Sequence, residues 1–354
     1  MESSNIIFFI LLAFFSYFFN RFILSFFYKS KYSLLLDNDY KKPQAFHKDS
    51  VYRLGGTSIF FTLFLAFLYL TYSKNIFFIE YISFGASFFI LGLLDDLKIR
   101  ILPKFRLSVM IIFLMFLIIY NELYIERTGL EFLNYLLEID IFSLFFIVLC
   151  FLFIINGANL IDGFNGLLGL HSLIIFSILL SINFINTNIE ISYVLLFTIL
   201  SILVFLIFNF PKAKVFLGDG GSYFLGTVIA ISAINTSIAN PFISPFYFCI
   251  LLFYLFFEVF FSFFRKLIRK KSPLEPDGKH LHMLLYKVFL KKNNDKLKSN
   301  YSVSIIINTI YLILTIPSIL MMKNGMFCKY YSIVFFVTYL LSYKLLNKLD
   351  KKNL

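Results

Sequence analysis

Residues 191–222 read ISYVLLFTILSILVFLIFNFPKAKVFLGDGGS. The first part, 191–209, is 19 residues long and carries no charge. About 20 mostly apolar residues in a helix span the hydrocarbon core of a bilayer. Lys212 and Lys214 then mark a short basic turn, and Gly218-Asp219-Gly220-Gly221 sets a carboxylate among glycines just before the next apolar run. The stretch therefore implies a chain that crosses a membrane and gathers polar chemistry where it re-enters.

Working outward, eleven segments are apolar enough to span or nearly so: 6–27, 58–73, 76–94, 107–120, 141–155, 167–185, 191–209, 223–239, 242–264, 303–322 and 327–346. Those at 58–73, 107–120 and 141–155 are short, so tilt, extension into the interface or partial burial must complete them. The expected fold is all-α and polytopic, with about 10–11 transmembrane helices in a single domain over 1–354. Composition agrees. Hydrophobic residues make up 60% and charged residues only 15%, against about 25% charged in ordinary soluble domains. The first run follows Glu2 with no basic leader and no small-residue cleavage site, so it reads as a retained helix rather than a signal peptide.

The net charge is +12. A nucleic-acid partner needs a soluble basic face with interleaved aromatics, and no soluble stretch is long enough to build one. The positive-inside rule accounts for the charge instead. With the amino terminus outside, 27 of the 32 Lys and Arg residues fall on the cytoplasmic side, and only Lys74, Arg127, Lys323 and Lys329 on the other, with Arg21 inside the first segment. The carboxyl terminus is then cytoplasmic. Cys150, Cys249 and Cys328 lie in apolar runs or a short loop and imply neither a disulfide framework nor a thiolate metal site.

Five polar clusters interrupt the apolar runs, and all fall on the assigned cytoplasmic side. HKDSVYRLGG, 47–56, opens the second segment. Gly55 and Gly56 would leave N–H groups accessible at a helix start, which suits anions, and Arg53 adds a fork that matches phosphate. Otherwise it is a helix-entry turn with an ordinary cytoplasmic Arg. LGLLDDLKIRILPKFR, 91–106, ends a helix on Asp95 and Asp96. Carboxylates at a helix carboxyl terminus meet an unfavourable dipole, so they either hold a cation or basic partner, or simply mark the membrane boundary. Lys98, Arg100, Lys104 and Arg106 follow closely.

In NGANLIDGFNG, 156–166, Asn156, Asn159, Asp162 and Asn165 recur every three residues. A helical turn places such groups on one side, where they suit hydrogen bonding to a nucleotide or sugar, or else cap a hairpin. In VFLGDGGS, 215–222, Asp219 is either an N-cap or a Mg²⁺ ligand beside exposed Gly220 and Gly221 N–H groups. A Walker-type loop is excluded, since no Gly-Lys-Ser/Thr follows. In SPLEPDGKHLHMLLY, 272–286, the spacing of His280 and His282 with no third ligand disfavours zinc and favours phosphate contact beside Lys279. Leu281, Leu284, Leu285, Val288 and Phe289, opposite Lys287, Lys291 and Lys292, read as an interfacial amphipathic helix. Glu258, deep in the ninth segment, is either functional or a protonated packing contact. His171 reads as a packing residue.

Together these clusters resemble the polyprenyl-phosphate N-acetylhexosamine-1-phosphate transferases, enzymes that begin cell-envelope glycans on a lipid carrier. The matching residues run from 47 to 286 in the family's order: HKDSVYRLGG, LGLLDDL, NGANLIDGFNGL, VFLGDGGS and PDGKHLHM. The resemblance implies that Asp95 and Asp96 lie at the catalytic centre with Asp219, that Asp219 binds Mg²⁺, that Asn159 and Asp162 contact the nucleotide-sugar, and that the histidine motif lies near the diphosphate. The family often has a second Asp where Asn165 stands, which leaves Asn165 only hydrogen bonding, and a further His where Met283 stands. The branch acting on muramyl-pentapeptide typically shows three successive His, so His-Leu-His-Met points to O-antigen, capsule or related lipopolysaccharide polymers.

The implied reaction moves sugar 1-phosphate from a UDP-N-acetylhexosamine to polyprenyl phosphate and releases UMP. Asp95 or Asp96 would orient or deprotonate the lipid phosphate. Arg53, Lys104, Arg106, Lys279 and His280 would bind phosphate oxygens, with His282 alongside. The implied setting is the bacterial inner membrane, with the lipid bilayer as partner, no nucleic acid, and room for a homodimer. The alternatives are a muramyl-pentapeptide transferase, a catalytically dead relative, or a transporter for an anionic solute. A transporter would place charged or broken segments at the midplane, often in two related halves.

Overall fold

The computed structural model describes residues 3–30, 34–37, 50–99, 101–273, 275 and 277–352. His47, Lys48 and Asp49 of the first cluster, Arg100 of the second, and Leu274 and Pro276 of the fifth lie outside the described residues. Fourteen helices are described: α1 (Ser3–Ser30), α2 (Gly55–Lys74), α3 (Ile79–Asp96), α4 (Pro103–Asn121), α5 (Glu131–Leu137), α6 (Asp140–Ile161), α7 (Leu167–Ile185), α8 (Ile189–Asn209), α9 (Gly218–Ala239), α10 (Pro245–Leu251), α11 (Phe253–Ile268), α12 (Leu281–Asn293), α13 (Lys296–Leu320) and α14 (Gly325–Lys352). The protein is an all-α, polytopic membrane protein. Among the described residues, nine helices are long and apolar enough to cross a bilayer, and the bent pair α10–α11 makes a tenth. Helix α3 is also 18 residues long but carries Glu80, Asp95 and Asp96.

The apolar runs account for these helices, and local chemistry sets their ends. Pro103 opens α4, where its missing N–H is no loss. Asn75 closes α2 in the left-handed conformation, its N–H bonded to the Thr71 carbonyl, as helix ends favour. Asp295 caps α13 by accepting from the Leu297 and Lys298 N–H groups at 2.9 and 3.1 Å.

Helix α9 is the centre of the bundle, packed on α2, α3, α6 and α7. Its most apolar stretch is 72% buried, against 17% for those of α1 and α14. Its Gly, Ser, Ala and Thr residues let neighbouring backbones come close, which is how helices associate in lipid. At the crossing with α2, a Cβ on Gly56 would overlap the Gly221 backbone. This contact brings the starts of α2 and α9 together.

Two expectations are corrected. The segment 242–264 is not one straight helix: α10 and α11 meet at a 73° bend, so Glu258 lies beyond a corner rather than midway along a continuous helix. Helix α12 does not lie free at an interface. It packs on α13 and α14 and buries His282, Met283, Leu284 and Tyr286, because its apolar stripe finds helices before lipid. A small sheet also appears. β1 (Leu36–Asp37) pairs antiparallel with β2 (Val51–Arg53), which pairs parallel with β3 (Val215–Phe216). The Arg53–Phe216 register delivers Arg53 to the start of α9.

Candidate active site

The carboxyl ends of α3 and α6 and the starts of α2 and α9 meet at one end of the bundle. The centre of that meeting is Asp96, whose side chain is 2% exposed. Its Oδ1 accepts from the Asp219 N–H at 3.0 Å, and its Oδ2 from the Gly220 N–H at 2.9 Å. The carboxylate that ends α3 thus caps α9, where a positive dipole end and free N–H groups await it. Gly218 makes this possible. Its φ is +80°, and a Cβ there would come within 2.6 Å of the Asp96 carboxylate, so both the backbone conformation and the space require glycine.

Three expectations are corrected at this junction. The Gly220 N–H is committed to Asp96 rather than open to phosphate. Gly55 and Gly56 are buried, and the Gly56 N–H donates to the Leu217 carbonyl at 2.8 Å. Nor is Asp219 an N-cap: the cap position is Leu217, with no side-chain cap bond.

Asp219 instead turns outward, its side chain 30% exposed. Asn159 donates to its Oδ1 at 3.1 Å and to the Ser222 hydroxyl at 3.0 Å. Arg53 Nη1 lies 3.3 Å from Asp96 and 3.9 Å from Asp219. On its other edge Arg53 donates to Asp37 Oδ2 from Nη2 at 2.8 Å and from Nε at 3.2 Å. Burial opposes its charge, but Asp219, Asp37 and Asp96 together raise its pKa above the ordinary value. Asp95 pairs with Arg106, whose guanidinium lies over the Tyr223 ring, 5.8 Å from its centre. Asp162, half-buried where α6 ends, has its pKa raised well above the carboxylate range by burial, then by Asp219, against the pull of Arg53.

Asn165 falls elsewhere. Its N–H bonds Asn300 at 2.8 Å and its side chain donates to the Pro211 carbonyl at 2.9 Å. It ties the turn after α6 to α13 and to the loop after α8. The four polar residues of the third cluster therefore do not share one side, since the helix ends at Ile161. Lys104 is exposed at the start of α4.

The histidine motif forms a second, interior cluster. His280 and His282 are 2% and 0% exposed and stack at 5.6 Å, which corrects the expectation of open phosphate ligands. His280 Nδ1 lies 3.0 Å from Glu258 Oε1, and its Nε2 3.4 Å from Asp277. Glu258 also accepts from Tyr339 at 2.8 Å and from the Leu281 N–H at 3.2 Å. Arg265 grips Asp277 with two bonds of 2.9 and 2.8 Å. Phe164 packs on His282 at 5.7 Å, which joins this cluster to the third motif. Lys279, beside the two buried histidines, is exposed. His171 is buried against Asn308 at 3.0 Å, the packing role expected of it.

Burial lowers the His282 pKa from 6.5 to about 3, chiefly by desolvation, with Glu258 opposing and His280 adding to it. The unfolded chain then binds a proton that the folded chain refuses. The contribution of His282 to stability is therefore full above pH 6.5 and is lost as pH drops towards about 3. Thermal unfolding in detergent from pH 7.5 to 4.5 is expected to show a shallower acid loss for His282→Gln than for the wild type. Equal slopes would contradict this.

Asp37, Glu258, Asp277, Arg265 and Tyr339 shape these clusters and were not among the sequence candidates for the site. Glu258 alone gave a signal, as a carboxylate in an apolar run. Arg265 looked like one more cytoplasmic cation, and a strand as short as β1 leaves no periodicity around Asp37.

Oxygen donors fit a hard cation. Among the described residues no three His, Cys, Asp or Glu side chains form a ready metal cage. Mg²⁺ does not need one, since it takes one or two carboxylates and completes its shell with water and phosphate oxygens. The partly exposed Asp219 carboxylate, steadied by Asn159, fits that role. Asp96 fits it less well, because both its oxygens already accept hydrogen bonds.

These features define a class: a multi-span membrane protein with a carboxylate- and arginine-lined site at one end of its bundle. The sequence pattern of glycosyl transferase family 4 matches residues 78–237. An undecaprenyl-phosphate alpha-N-acetylglucosaminyl 1-phosphate transferase of Thermotoga maritima is 30% identical over 279 residues, 73% of this chain and 78% of that one. The protein of the same name in Escherichia coli is 25% identical over 248 residues, 68% of this chain and 66% of its own. A phospho-N-acetylmuramoyl-pentapeptide-transferase of Dictyoglomus turgidum is 33% identical over 201 residues, 54% of this chain and 61% of its own. The chain belongs to glycosyl transferase family 4.

Proposed function

We propose that this protein transfers N-acetylhexosamine 1-phosphate from a UDP-sugar to undecaprenyl phosphate in the bacterial inner membrane, releasing UMP and starting an envelope polysaccharide. The observation that carries this reading is the meeting of Asp219, Asp96, Arg53 and Asn159 at the start of α9, at one end of the bundle. Such a site suits phosphoryl transfer, where catalysis is mainly positioning and charge neutralisation. An oxygen of the lipid phosphate attacks the sugar-bearing phosphorus. The bond from that phosphorus to the bridging oxygen breaks, and the electron pair leaves with UMP. A phosphate monoester has a second pKa of about 6, so the nucleophile needs little activation.

Mg²⁺, held by Asp219, would supply charge neutralisation of the diphosphate. Arg53 faces Asp219 and Asp96 at once and steadies both carboxylates. Arg106, tethered by Asp95, offers its remaining N–H groups to phosphate oxygens. Asn159 fixes the rotamer of Asp219. Asp96 positions: it holds the first turn of α9 and so sets where Asp219 points. The buried histidine cluster holds the 277–282 turn against α11 and α14 and presents Lys279. An N-acetylglucosamine donor suits the names of the Thermotoga maritima and Escherichia coli relatives, and a polymer other than peptidoglycan suits the His-Leu-His-Met motif.

A donor labelled with ³²P at the sugar-bearing phosphorus tests the reaction type. The label is expected in the lipid product. Label appearing as free UDP would mean plain glycosyl transfer and would overturn the proposal. Orientation is tested separately. A Cys at the exposed position 279 in a chain otherwise free of Cys is expected to resist an impermeant thiol reagent in intact cells and to react after permeabilisation. Labelling in intact cells would invert the topology.

A further inference from the structure

Tyr223 is fully buried, at 0% exposure, one helical turn into α9. Among the described residues its hydroxyl has no hydrogen-bond partner. Buried polar groups are nearly always paired, because an unmade hydrogen bond costs the full desolvation of the group. Tyrosine rather than phenylalanine here therefore wants a reason. The other buried hydroxyls without partners that border α9 include Ser244 and Tyr247, which lie past its far end. Tyr223 is the one beside the acidic site. The Arg106 guanidinium sits over its ring, 5.8 Å from the centre, and its hydroxyl is within electrostatic reach of Arg106, Asp219, Asp95 and Asp96.

Position selects the ligand. Tyr223 follows Asp219 by four residues, so the two share a helix face, with Tyr223 about 6 Å further along the axis. Along α9 that direction runs from the polar end of the bundle into the membrane. A nucleotide arriving from water meets Asp219 first. A phosphate carried on a membrane-anchored chain is the one that comes to rest deeper. Such a phosphate offers only acceptors, and a neutral phenol supplies a donor without adding charge to a place that already holds Arg106.

We propose that the Tyr223 hydroxyl, beside Arg106, hydrogen-bonds the phosphate of the lipid-borne acceptor. This rests on the reaction proposed above, and the test separates the two. Tyr223→Phe removes the hydroxyl and little else. The free variant is expected to unfold at the same temperature as the wild type or higher. Its affinity for undecaprenyl phosphate without nucleotide, read by ligand-induced thermal shift in detergent, is expected to fall about 10-fold, as for a lost bond to a charged group. Its affinity for UDP-N-acetylglucosamine alone stays unchanged.

Unchanged affinity for undecaprenyl phosphate would overturn the inference, as would a wild type that does not bind that lipid. A loss confined to UDP-N-acetylglucosamine would assign the hydroxyl to the nucleotide instead and overturn it too. A lower unfolding temperature in the free variant would make the hydroxyl structural and would equally overturn the phosphate contact. A wild type that binds the lipid but releases no UMP, with the Tyr223→Phe difference intact, would remove the proposed reaction and leave the phosphate contact standing.

Discussion

Asp219→Asn is expected to lower UMP release by roughly 100-fold or more, the scale seen when one preorganised charge-stabilising group is lost, while leaving the fold intact. The two halves of that expectation have separate origins. Activity falls because a neutral amide is a poor ligand for a hard cation. Stability holds because the α9 start is capped by Asp96, not by Asp219. The side chain is also 30% exposed, so the substitution buries no new unpaired group. Thermal unfolding alongside a Mg²⁺ titration separates the halves. Near-normal UMP release at every Mg²⁺ concentration would remove Asp219 from the site, and a collapse in stability would make it a structural residue.

Asp96→Ala is expected to have the opposite balance, with both stability and activity lost. The change leaves the Asp219 and Gly220 N–H groups without their acceptor and strips Arg53 of one of its partners. Breaking a buried charge pair from one side typically costs about 3–5 kcal/mol. Asp96→Asn keeps one acceptor oxygen and is expected to fall between Ala and wild type. Chemical unfolding in detergent measures the loss, and amide exchange at 219–221 localises it to the first turn of α9. An Asp96→Ala protein as stable as the wild type, with unaltered exchange there, would show that the cap carries no weight.

The membrane-spanning helices were legible because a bilayer imposes a length on every run and leaves the backbone no alternative but helix or barrel. Each of the eleven apolar segments has its helical counterpart. The bend at Leu252 was not legible. Both sides of it are apolar runs rich in Phe, and Pro245 marks only the start of α10, so no local signal separates a straight span from a broken one. The three strands of two or three residues are too short for any periodicity, yet one of them brings Arg53 to Asp219.

At the site, the residue types were readable but their partners were not. Asp95 and Asp96 stood out because a helix carboxyl terminus disfavours them. What resolves that conflict for Asp96 is the amino terminus of α9, which is 123 and 124 residues away for its two bonds, and for Asp95 it is Arg106. The histidines misled for a related reason. Their polar flanks suggested exposure, but Glu258, Asp277 and Tyr339 converge from α11, the following turn and α14 to hold His280 inside. Long-range pairing of this kind leaves no trace in spacing.

The most direct measurement of the central claim is UMP release by the purified protein with undecaprenyl phosphate, Mg²⁺ and a panel of UDP-sugars. Release is expected to require both the lipid phosphate and the divalent cation, to be fastest with a UDP-N-acetylhexosamine, and to be absent with UDP-muramyl-pentapeptide. Release with UDP-muramyl-pentapeptide alone, or no release with any donor from a folded protein, would contradict it.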